Sequence, residues 1–394
     1  MSNIYLVNPS EHGILDNAGD RIPLGLLSIA TKMSEKHNVR VFDLNHTYEQ
    51  TFLEEVEFGE PDVIGISVYT SALYDQCIDL AKKLKGNRLV AGGYHATAMP
   101  ETLLDDFDAV VRGEGENALE LALTQNGVIQ ADTPDLNNLP QIDRSFLPYD
   151  YGINGTQGTL ITSRGCPYSC SFCGNMDRQV RFEPVWKVVE DIYDLKEDGF
   201  KSVYFLDDMF TLNKERMKLI AETCKLTDLP FRATTRANYL DNERLNILSE
   251  NGCATISLGV ESGNNQILKN INKRETTQEI ESAVRRANER GIHSKGFFVI
   301  GLPGETKKTA RQTIDFSIHL KDLGMTQADF YMLTPFPGTP IWNNPDKFGI
   351  EIIDKDFSKY LQVGKKARCV IQTKDLKPSE IEELVMEGND LWKN

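Results

Sequence analysis

The sequence predicts an α/β protein made of two successive parallel-sheet domains, and two observations lead to this fold class. Short β-branched runs alternate with amphipathic stretches over the first 125 residues, and the alternation returns with a longer period from Thr159 onward. Strands that alternate with helices in this way form parallel sheets covered by helices. At about 100–200 residues per domain, a chain of 394 residues accommodates two or three domains.

The first region, residues 1–125, is predicted to be a parallel sheet with helices on both faces. Its strand candidates are Ile4–Asn8, Val39–Asp43, Val63–Ser67, Leu89–Ala91 and Ala109–Arg112. Amphipathic stretches predict helices at Leu24–Glu35, Tyr74–Lys85 and Asn117–Leu123. Ligands of such sheets bind beyond the carboxyl ends of the strands, so we expect binding residues just after these runs.

The periodicity stops between residues 126 and 150, where prolines and acidic residues dominate. We interpret this stretch as an interdomain linker.

The second region, residues 151–340, is predicted to be a partial β/α barrel of six units. Its strand candidates are Thr159–Ser163, Ser202–Leu206, Phe231–Thr235, Thr255–Gly259, Ser294–Ile300 and Asp329–Leu333. The helix candidates between them are Val185–Asp198, Lys214–Cys224, Asp241–Glu250, Gln278–Arg290 and Thr306–Asp322. An active site in such a barrel lies at the carboxyl ends of the strands. Residues 341–394 are expected to form a short C-terminal cap that ends in a helix at Ser379–Trp392.

Charge and hydropathy disfavour several classes of protein. The formal net charge is −15, which argues against a broad basic face for nucleic acid or for an anionic membrane surface. No apolar run approaches the length of a transmembrane helix, and the N-terminus lacks the pattern of a signal peptide. Seven cysteines, an odd number, argue against a disulfide scaffold. We therefore expect a cytoplasmic protein without a transmembrane segment and without a nucleic-acid partner.

Three of the cysteines form the most informative motif in the chain. Cys166, Cys170 and Cys173 have the spacing C-x3-C-x2-C in the loop after the first barrel strand. Soft thiolates favour an iron–sulfur cluster or zinc. Structural zinc usually has four protein ligands, and neither a fourth cysteine nor a histidine lies nearby in sequence. The alternatives to a cluster are a zinc site and three buried apolar cysteines.

The spacing, the aromatic Phe172 before the third cysteine and the position after the first barrel strand resemble the radical S-adenosylmethionine (SAM) enzymes. The resemblance implies a [4Fe–4S] cluster on the three cysteines, with one iron open to chelate SAM. It also implies reductive cleavage of SAM to methionine and a 5′-deoxyadenosyl radical, with an electron donor such as flavodoxin or ferredoxin. The expected SAM contacts lie at the motif or at the ends of barrel strands: Phe172, Asp207, Arg236, Gly259, Glu261 and Ser262.

The first region resembles the Rossmann-like (flavodoxin-like) cobalamin-binding domain that precedes the barrel in one subgroup of these enzymes. The matching segments are Pro23–Leu27, Asp62–Ser67, Ala91–His95 and Val111–Glu116. The resemblance implies cobalamin as a third cofactor, with expected contacts at Ser67, Thr70, Gly92, Gly93, His95 and Glu114.

Two motifs limit what this first region binds. The segment Gly113–Ala118 formally matches a G-x-G-x-x-A dinucleotide fingerprint, but its glutamates would oppose a pyrophosphate and it follows the last strand. The segment Asn8–Asn17 lacks the D-x-H-x-x-G motif that supplies a histidine to cobalt. We expect cobalamin bound with its own base displaced and without a histidine ligand. The alternative is a domain retained only for packing.

The predicted function is cobalamin-dependent methyl transfer to an unactivated carbon of a small or lipid-like substrate. One alternative is a radical SAM cyclase or rearrangement enzyme that uses cobalamin without methyl transfer. A second is a non-catalytic protein whose cobalamin and cluster sense redox state. The sequence predicts no individual catalytic side chain, substrate or oligomeric state.

Overall fold

The computed structural model describes residues 1–12, 14, 22–147, 157–175, 177–361 and 367–393. The chain divides into two compact units. Unit 1 comprises residues 1–155 together with 356–364, and unit 2 comprises residues 156–355 together with 365–394. The end of the predicted linker (148–150) and the start of the predicted barrel domain (151–156) lie outside the described residues.

Unit 1 contains a six-stranded parallel sheet with the order β2-β1-β3-β4-β5-β6. The strands are β1 Asn3–Asn8, β2 Asn38–Asp43, β3 Val63–Ser67, β4 Leu89–Gly92, β5 Ala109–Arg112 and β6 Gly127–Gln130. The helices are α1 Leu24–Ser34, α2 Glu49–Gly59, α3 Tyr74–Lys83, α4 Tyr94–Ala98 and α5 Gly115–Ala122. Strand order reverses direction between β1 and β3, which is the position where doubly wound sheets bind ligands.

The central strands of unit 1 are apolar on both faces, as strands covered by helices on both sides must be. Ile4, Tyr5, Leu6 and Val7 of β1 are all buried. Three elements of unit 1, α2, α4 and β6, were missed by the sequence pattern. Helix α2 buries only Phe52 and Val56, so its apolar stripe is too thin to show a period. Strand β6 is a short edge strand within the stretch for which the sequence predicts only linker.

Unit 2 contains a second six-stranded parallel sheet with the order β14-β13-β12-β11-β10-β7. The strands of unit 2 are β7 Gln157–Leu160, β8 Ser163–Arg164, β9 Arg181–Phe182, β10 Ser202–Phe205, β11 Phe231–Thr235, β12 Cys253–Glu261, β13 His293–Ile300, β14 Gln327–Met332, β15 Ile350–Ile352 and β16 Ile371–Thr373. Outside the six-stranded sheet, β8 pairs with β9 and β15 pairs with β16, both antiparallel. The helices are α6 Val185–Glu197, α7 Lys214–Leu226, α8 Asn242–Glu250, α9 Asn265–Asn270, α10 Thr277–Asn288, α11 Lys307–Asp322, α12 Pro340–Asn343 and α13 Pro378–Asp390. The consecutive β/α order confirms the predicted fold class of a partial barrel after a doubly wound domain.

Short polar side chains begin the helices of unit 2. Asn213 and Asp241 accept backbone N–H bonds at the starts of α7 and α8, and Thr276 and Thr306 form capping boxes at α10 and α11. These caps satisfy N–H groups that the first helical turn leaves unpaired. They explain why the sequence places these helix starts to within one residue.

The C-terminal helix α13 covers the edge of the second sheet at β14. Asn389 accepts the backbone N–H of Phe330 at 2.9 Å and donates to its carbonyl at 2.9 Å. The Asn389 amide thereby takes the hydrogen bonds that a neighbouring strand would make at Phe330. Helix α13 in this way protects the β14 edge from pairing with a strand of another chain. The segment 356–364, in the region predicted as a cap, belongs to unit 1.

Within the described parts of the chain, no helix combines the length and apolar character needed to cross a membrane.

Candidate active site

The three motif cysteines lie in a loop that the antiparallel pair β8–β9 closes at its base. Inside the loop, the backbone N–H of Cys166 donates to the Asp177 carbonyl at 3.0 Å. Gly165 has φ +92°, and a Cβ there would lie 2.5 Å from the Gln179 carbonyl oxygen. Glycine is therefore required before the first cysteine. Phe172 is half-buried in the same loop.

N–H groups point at the sulfurs of two of the motif cysteines. The donors are Arg236 Nη1 at 3.6 Å for Cys170 and the Asn175 backbone at 3.4 Å for Cys173. Iron-bound thiolates commonly accept such bonds, which help to set the potential of a cluster. The two donors therefore fit a metal-bound state of these sulfurs.

The thiols are close enough to interact electrostatically. Burial, together with smaller contributions from the charges of Asp208, Cys170 and Cys166, raises the pKa of Cys173 to about 11. Burial likewise raises the pKa of Cys166. Among the described residues, no three His, Cys, Asp or Glu side chains are arranged to hold a single metal ion.

Arg236, at the end of β11, is buried against the cysteine loop. Its guanidinium lies 3.9 Å above the Tyr168 ring. Nη2 lies 3.1 Å from Glu275 Oε2, an ion pair without the alignment of a hydrogen bond. To make a bidentate contact with the SAM carboxylate, the Arg236 guanidinium would have to give up its contact with the Tyr168 ring or with Glu275.

The end of β12 carries a second buried ion pair. Glu261 accepts from Lys273 Nζ at 2.7 Å, and Glu261 has the left-handed φ of 62° next to a register shift in the β12–β13 ladder. A Cβ on Gly259 would lie 2.6 Å from Lys273 Nζ, so this glycine makes room for the pair. Ser262 is fully buried, and its hydroxyl is 3.0 Å from that of Thr313. Ser262 thus supports the strand end and is not accessible to a ligand.

Two adjacent aspartates at the end of β10 have different environments. Asp207 is 1% exposed, and its carboxylate accepts from Thr162 N at 3.1 Å, Thr162 Oγ1 at 2.9 Å and Ser163 Oγ. Asp208 is exposed and accepts from the side-chain amide of Asn175. Enough protein nevertheless surrounds the Asp208 carboxyl to raise its pKa. Asp208 therefore presents an exposed carboxylate near Cys173, whereas the predicted contact Asp207 is enclosed by its own hydrogen bonds.

The carboxyl edge of the first sheet contains an open position at Gly92. Gly92 is paired with Ser67 in the β3–β4 register, and a Cβ on Gly92 would meet no atom within 4 Å. The hydroxyls of Ser67 and Thr70 make no hydrogen bond within the described part of the chain. Gly93 is different, because its Cβ would lie 2.9 Å from the Tyr69 backbone N. The open space and available hydroxyls at Ser67 and Thr70 fit a cofactor tail.

His95 follows β4 at this edge, but its side chain is buried inside unit 1. It is fully buried, with Nδ1 at 2.8 Å from Ser71 Oγ and Nε2 at 3.1 Å from Thr102 Oγ1. The Tyr74 and Phe357 rings pack on it at centroid distances of 5.1 and 4.9 Å. Burial lowers the pKa of His95 to about 4, so the ring is neutral at pH 7. The structure therefore gives His95 a packing role in place of the predicted cofactor contact.

Glu114 precedes helix α5 and is half-buried. Glu116, the second residue of the helix, is buried and accepts from Ser28 Oγ of α1 at 2.8 Å. This bond ties α1 to α5 on one face of the sheet.

A polar network replaces the missing cobalt-ligand motif after β1. Asp43 accepts from the side chains of Asn8 at 3.0 Å and Asn45 at 2.9 Å, and Asn45 in turn accepts from the Glu11 backbone at 2.7 Å. The Tyr69 hydroxyl donates to Glu11. Because these residues come from three strand ends, sequence reasoning had no signal for them beyond the positions of the strands.

Sequence reasoning also missed three polar residues around the cysteine loop. They are Asn175, Lys273 and Glu275. Asn175 was detectable in principle, since it lies two residues after Cys173. Lys273 and Glu275 lie in the connection after α9, which carries no pattern of its own.

Comparison with known proteins agrees with this geometry. The family model of the radical SAM superfamily matches residues 160–317, and that of the B12 binding domain matches residues 14–123. An uncharacterized methyltransferase of Pyrococcus horikoshii is 33% identical over 382 residues, covering 87% of this chain and 82% of that protein. The chain belongs to the cobalamin-dependent radical SAM methyltransferase family. This membership confirms the predicted family and the prediction of an enzyme over a redox sensor.

Two proteins of lower sequence identity also match the chain. The anaerobic magnesium-protoporphyrin IX monomethyl ester cyclase of Cereibacter sphaeroides is 27% identical over 405 residues, covering 91% of this chain and 65% of the cyclase. The radical SAM methyltransferase TsrM of Kitasatospora setae, solved with cobalamin and a [4Fe–4S] cluster, has a TM-score of 0.74 at 22% identity. The match covers 92% of this chain and 82% of that one, and it shows a shared fold.

The predicted cofactors of this radical SAM enzyme are confirmed as a [4Fe–4S] cluster, SAM and cobalamin. The N–H donors beside the motif sulfurs fit the [4Fe–4S] cluster, and the open position at Gly92 fits cobalamin. The alternative of a first domain retained only for packing finds no support in these comparisons.

Proposed function

We propose that this radical SAM enzyme transfers a methyl group to an unactivated carbon of a small or lipid-like substrate. The observation that carries the proposal is the cysteine loop, in which N–H donors face the sulfurs of Cys170 and Cys173. Methyl transfer is favoured over other outcomes because the relative at 33% identity is named a methyltransferase.

SAM would bind where the barrel strands end beside the cysteine loop. Asp208 is exposed there, and its carboxylate suits the ammonium group of the methionine moiety. Arg236 supplies positive charge near the methionine carboxylate, and Phe172 offers an apolar surface. Gly259 and Glu261 would border the ribose, with Lys273 holding the Glu261 carboxylate in place.

Cobalamin would bind at the carboxyl edge of the first sheet. Gly92 leaves room for the nucleotide tail, and the hydroxyls of Ser67 and Thr70 are available to its polar groups. Glu114 lies at the start of α5 on the same edge. When bound, the cluster supplies the electron that cleaves SAM, and cobalamin supplies the methyl group.

A second candidate function is cyclisation or rearrangement without methyl transfer. The observation that favours it is the 27% identity to a cyclase over 91% of this chain. The two functions share the cluster, SAM and cobalamin, and they differ in the products made from SAM.

The electron donor would be a flavodoxin or ferredoxin in a reducing cytoplasm. All seven cysteines, each within the described residues, are free thiols, as expected for such a compartment.

The test uses the full chain, reconstituted anaerobically with iron, sulfide and hydroxocobalamin, and then given dithionite and SAM labelled in its methyl group. We expect labelled methylcobalamin and an equal amount of S-adenosylhomocysteine. A protein that makes 5′-deoxyadenosine but neither of these products would contradict methyl transfer and favour the cyclase.

Two cysteine variants serve as matched controls for the cluster. Cys173→Ser removes a motif thiol and is expected to abolish the cluster and 5′-deoxyadenosine formation. Cys369→Ser removes a buried thiol outside the motif and is expected to retain both. Iron and sulfide analysis and product chromatography report the two outcomes.

A further inference from the structure

The base of the cysteine loop is held together more firmly than its short strands would achieve alone. Strands β8 and β9 contribute only two residue pairs. One position outside them, the Glu183 backbone N–H donates to the Thr162 carbonyl at 2.9 Å. Thr162 and Glu183 flank the loop that contains all three motif cysteines. The distance between them therefore fixes the positions of the two ends of the loop.

Asp207 holds the first end of the loop. Its carboxylate accepts from the Thr162 backbone, the Thr162 hydroxyl and the Ser163 hydroxyl. With 1% exposure and these bonds, Asp207 has no accessible surface for a ligand. The next residue, Asp208, is the one that is exposed beside the thiols. Asp207 therefore acts on the loop and not on a cofactor directly.

Arg216 of α7 joins the two ends. Its Nη2 donates to the Thr162 carbonyl at 2.8 Å and its Nη1 donates to the Glu183 carbonyl at 2.6 Å. The guanidinium also lies 5.5 Å from the centre of the Phe182 ring and is stabilised by the charge of Asp207. One planar fork thus spans both sides of the loop base, a geometry that lysine cannot reproduce.

We propose that Asp207 and Arg216 are positioning residues that close the cysteine loop before the cluster is assembled and keep it closed afterwards. Ligands whose supporting residues hold them in place lose less entropy on binding and release the metal more slowly. The inference rests on the proposed function in one respect, namely that the motif cysteines hold the cluster.

The experiment compares reconstituted full-length variants by cluster content, by the rate at which an iron chelator removes the cluster, and by the EPR spectrum of the reduced cluster. Arg216→Met and Asp207→Ala remove the two sides of the clamp. Arg216→Lys and Asp207→Asn keep the volume and part of the hydrogen bonding, and they serve as conservative rescues. Leu248→Ala is the matched control, because Leu248 is fully buried in unit 2 on α8, outside the loop base.

We expect Arg216→Met and Asp207→Ala to lose the cluster to the chelator about tenfold faster than wild type, with altered EPR signals, and the conservative variants to fall between. Leu248→Ala is expected to lower the melting temperature and to leave the chelation rate and the EPR signal at wild-type values. If Leu248→Ala accelerates cluster loss as much as the clamp variants do, the effect is general destabilisation and the proposal is overturned.

Failure of the clamp and failure of the proposed function give different results. Clamp variants that retain the cluster as wild type does would overturn the clamp alone. A wild-type protein that takes up no cluster would overturn the proposed function, and the clamp with it. If Asp207→Ala does not fold, Arg216→Met still decides the question through the same three measurements, with Arg216→Lys as its conservative counterpart.

Discussion

Arg236 Nη1 lies 3.6 Å from the sulfur of Cys170, so a buried cation donates to one of the three motif thiols. The Tyr168 ring and the Glu275 carboxylate hold the guanidinium in this position. A cation and an N–H donor both stabilise a sulfur that gains negative charge. The pair therefore connects the end of strand β11 to the redox behaviour of the site.

We predict that Arg236→Met lowers the reduction potential of the cluster, because the reduced form loses a cation and a hydrogen bond. An EPR-monitored redox titration measures the shift. Arg290→Met removes the same charge from a guanidinium that bonds Asn246 and Asn242, and it is expected to leave the potential unchanged. A potential in Arg236→Met that is unchanged or higher would show that Arg236 does not tune the cluster.

Gly92 is predicted to be required for cobalamin binding and not for folding. Gly92→Leu fills space in which a Cβ meets no atom within 4 Å, so we expect an affinity for hydroxocobalamin lower by about tenfold or more and a similar melting temperature. Absorbance titration measures the affinity. Gly25→Leu is the control, since Gly25 also has no atom within 4 Å of its Cβ but lies exposed on α1. Equal affinities for the two variants would place the tail elsewhere.

Glu305 makes stability depend on pH in an unusual direction. Its carboxyl is fully buried and accepts from the backbone N–H groups of Gly301 and Leu302, and burial raises its pKa from 4.5 to about 8. Between these pH values the native protein keeps a proton that the unfolded chain releases. The free energy of unfolding therefore falls as pH rises, by up to about 5 kcal/mol.

Glu305→Gln is neutral at every pH and keeps an acceptor for both N–H groups, so it should remove the fall in the free energy of unfolding with rising pH. Melting temperatures between pH 4.5 and about 8 measure this effect. Glu305→Ala removes the acceptor and is expected to be destabilising by roughly 1–3 kcal/mol throughout. A Glu305→Gln variant with the pH slope of wild type would mean that Glu305 is ionised in the native state.

His95 gives the opposite dependence at lower pH. Burial lowers its pKa from 6.5 to about 4, so between these values the unfolded chain binds a proton that the native protein does not. The free energy of unfolding is expected to fall by about 3 kcal/mol as pH drops through that window. His95→Gln should flatten the dependence in melting experiments. The exposed His46→Gln should leave it unchanged, and an equal effect of the two variants would contradict the assignment.

Most of the fold could be predicted from the sequence because local residue patterns specify its strands and helices. Strands Val63–Ser67, Ala109–Arg112 and Phe231–Thr235 have the predicted bounds. Continuous apolar runs mark strands covered on both faces, and capping residues mark helix starts. Helix α2 was missed because it buries only two side chains, and such a helix has almost no periodic signal.

The cysteine loop was predictable for a similar reason. The spacing of Cys166, Cys170 and Cys173 and the glycine before them are properties of one short segment. The residues around the loop were less accessible to sequence reasoning. Glu275 pairs with Arg236 from a different connection, and no local pattern indicates such a pair.

Sequence position decided which residues reach the ligand-binding edges, because a parallel sheet collects its carboxyl ends on one side whatever the side chains are. Tertiary packing decided which of those side chains are open to a ligand. Asp207 turns into the base of the cysteine loop and Asp208 does not, and His95 is covered by Phe357, far away in the chain. Burial and hydrogen-bond partners depend on residues distant in sequence, so adjacent residues of the same type acquire different roles only when the chain is folded.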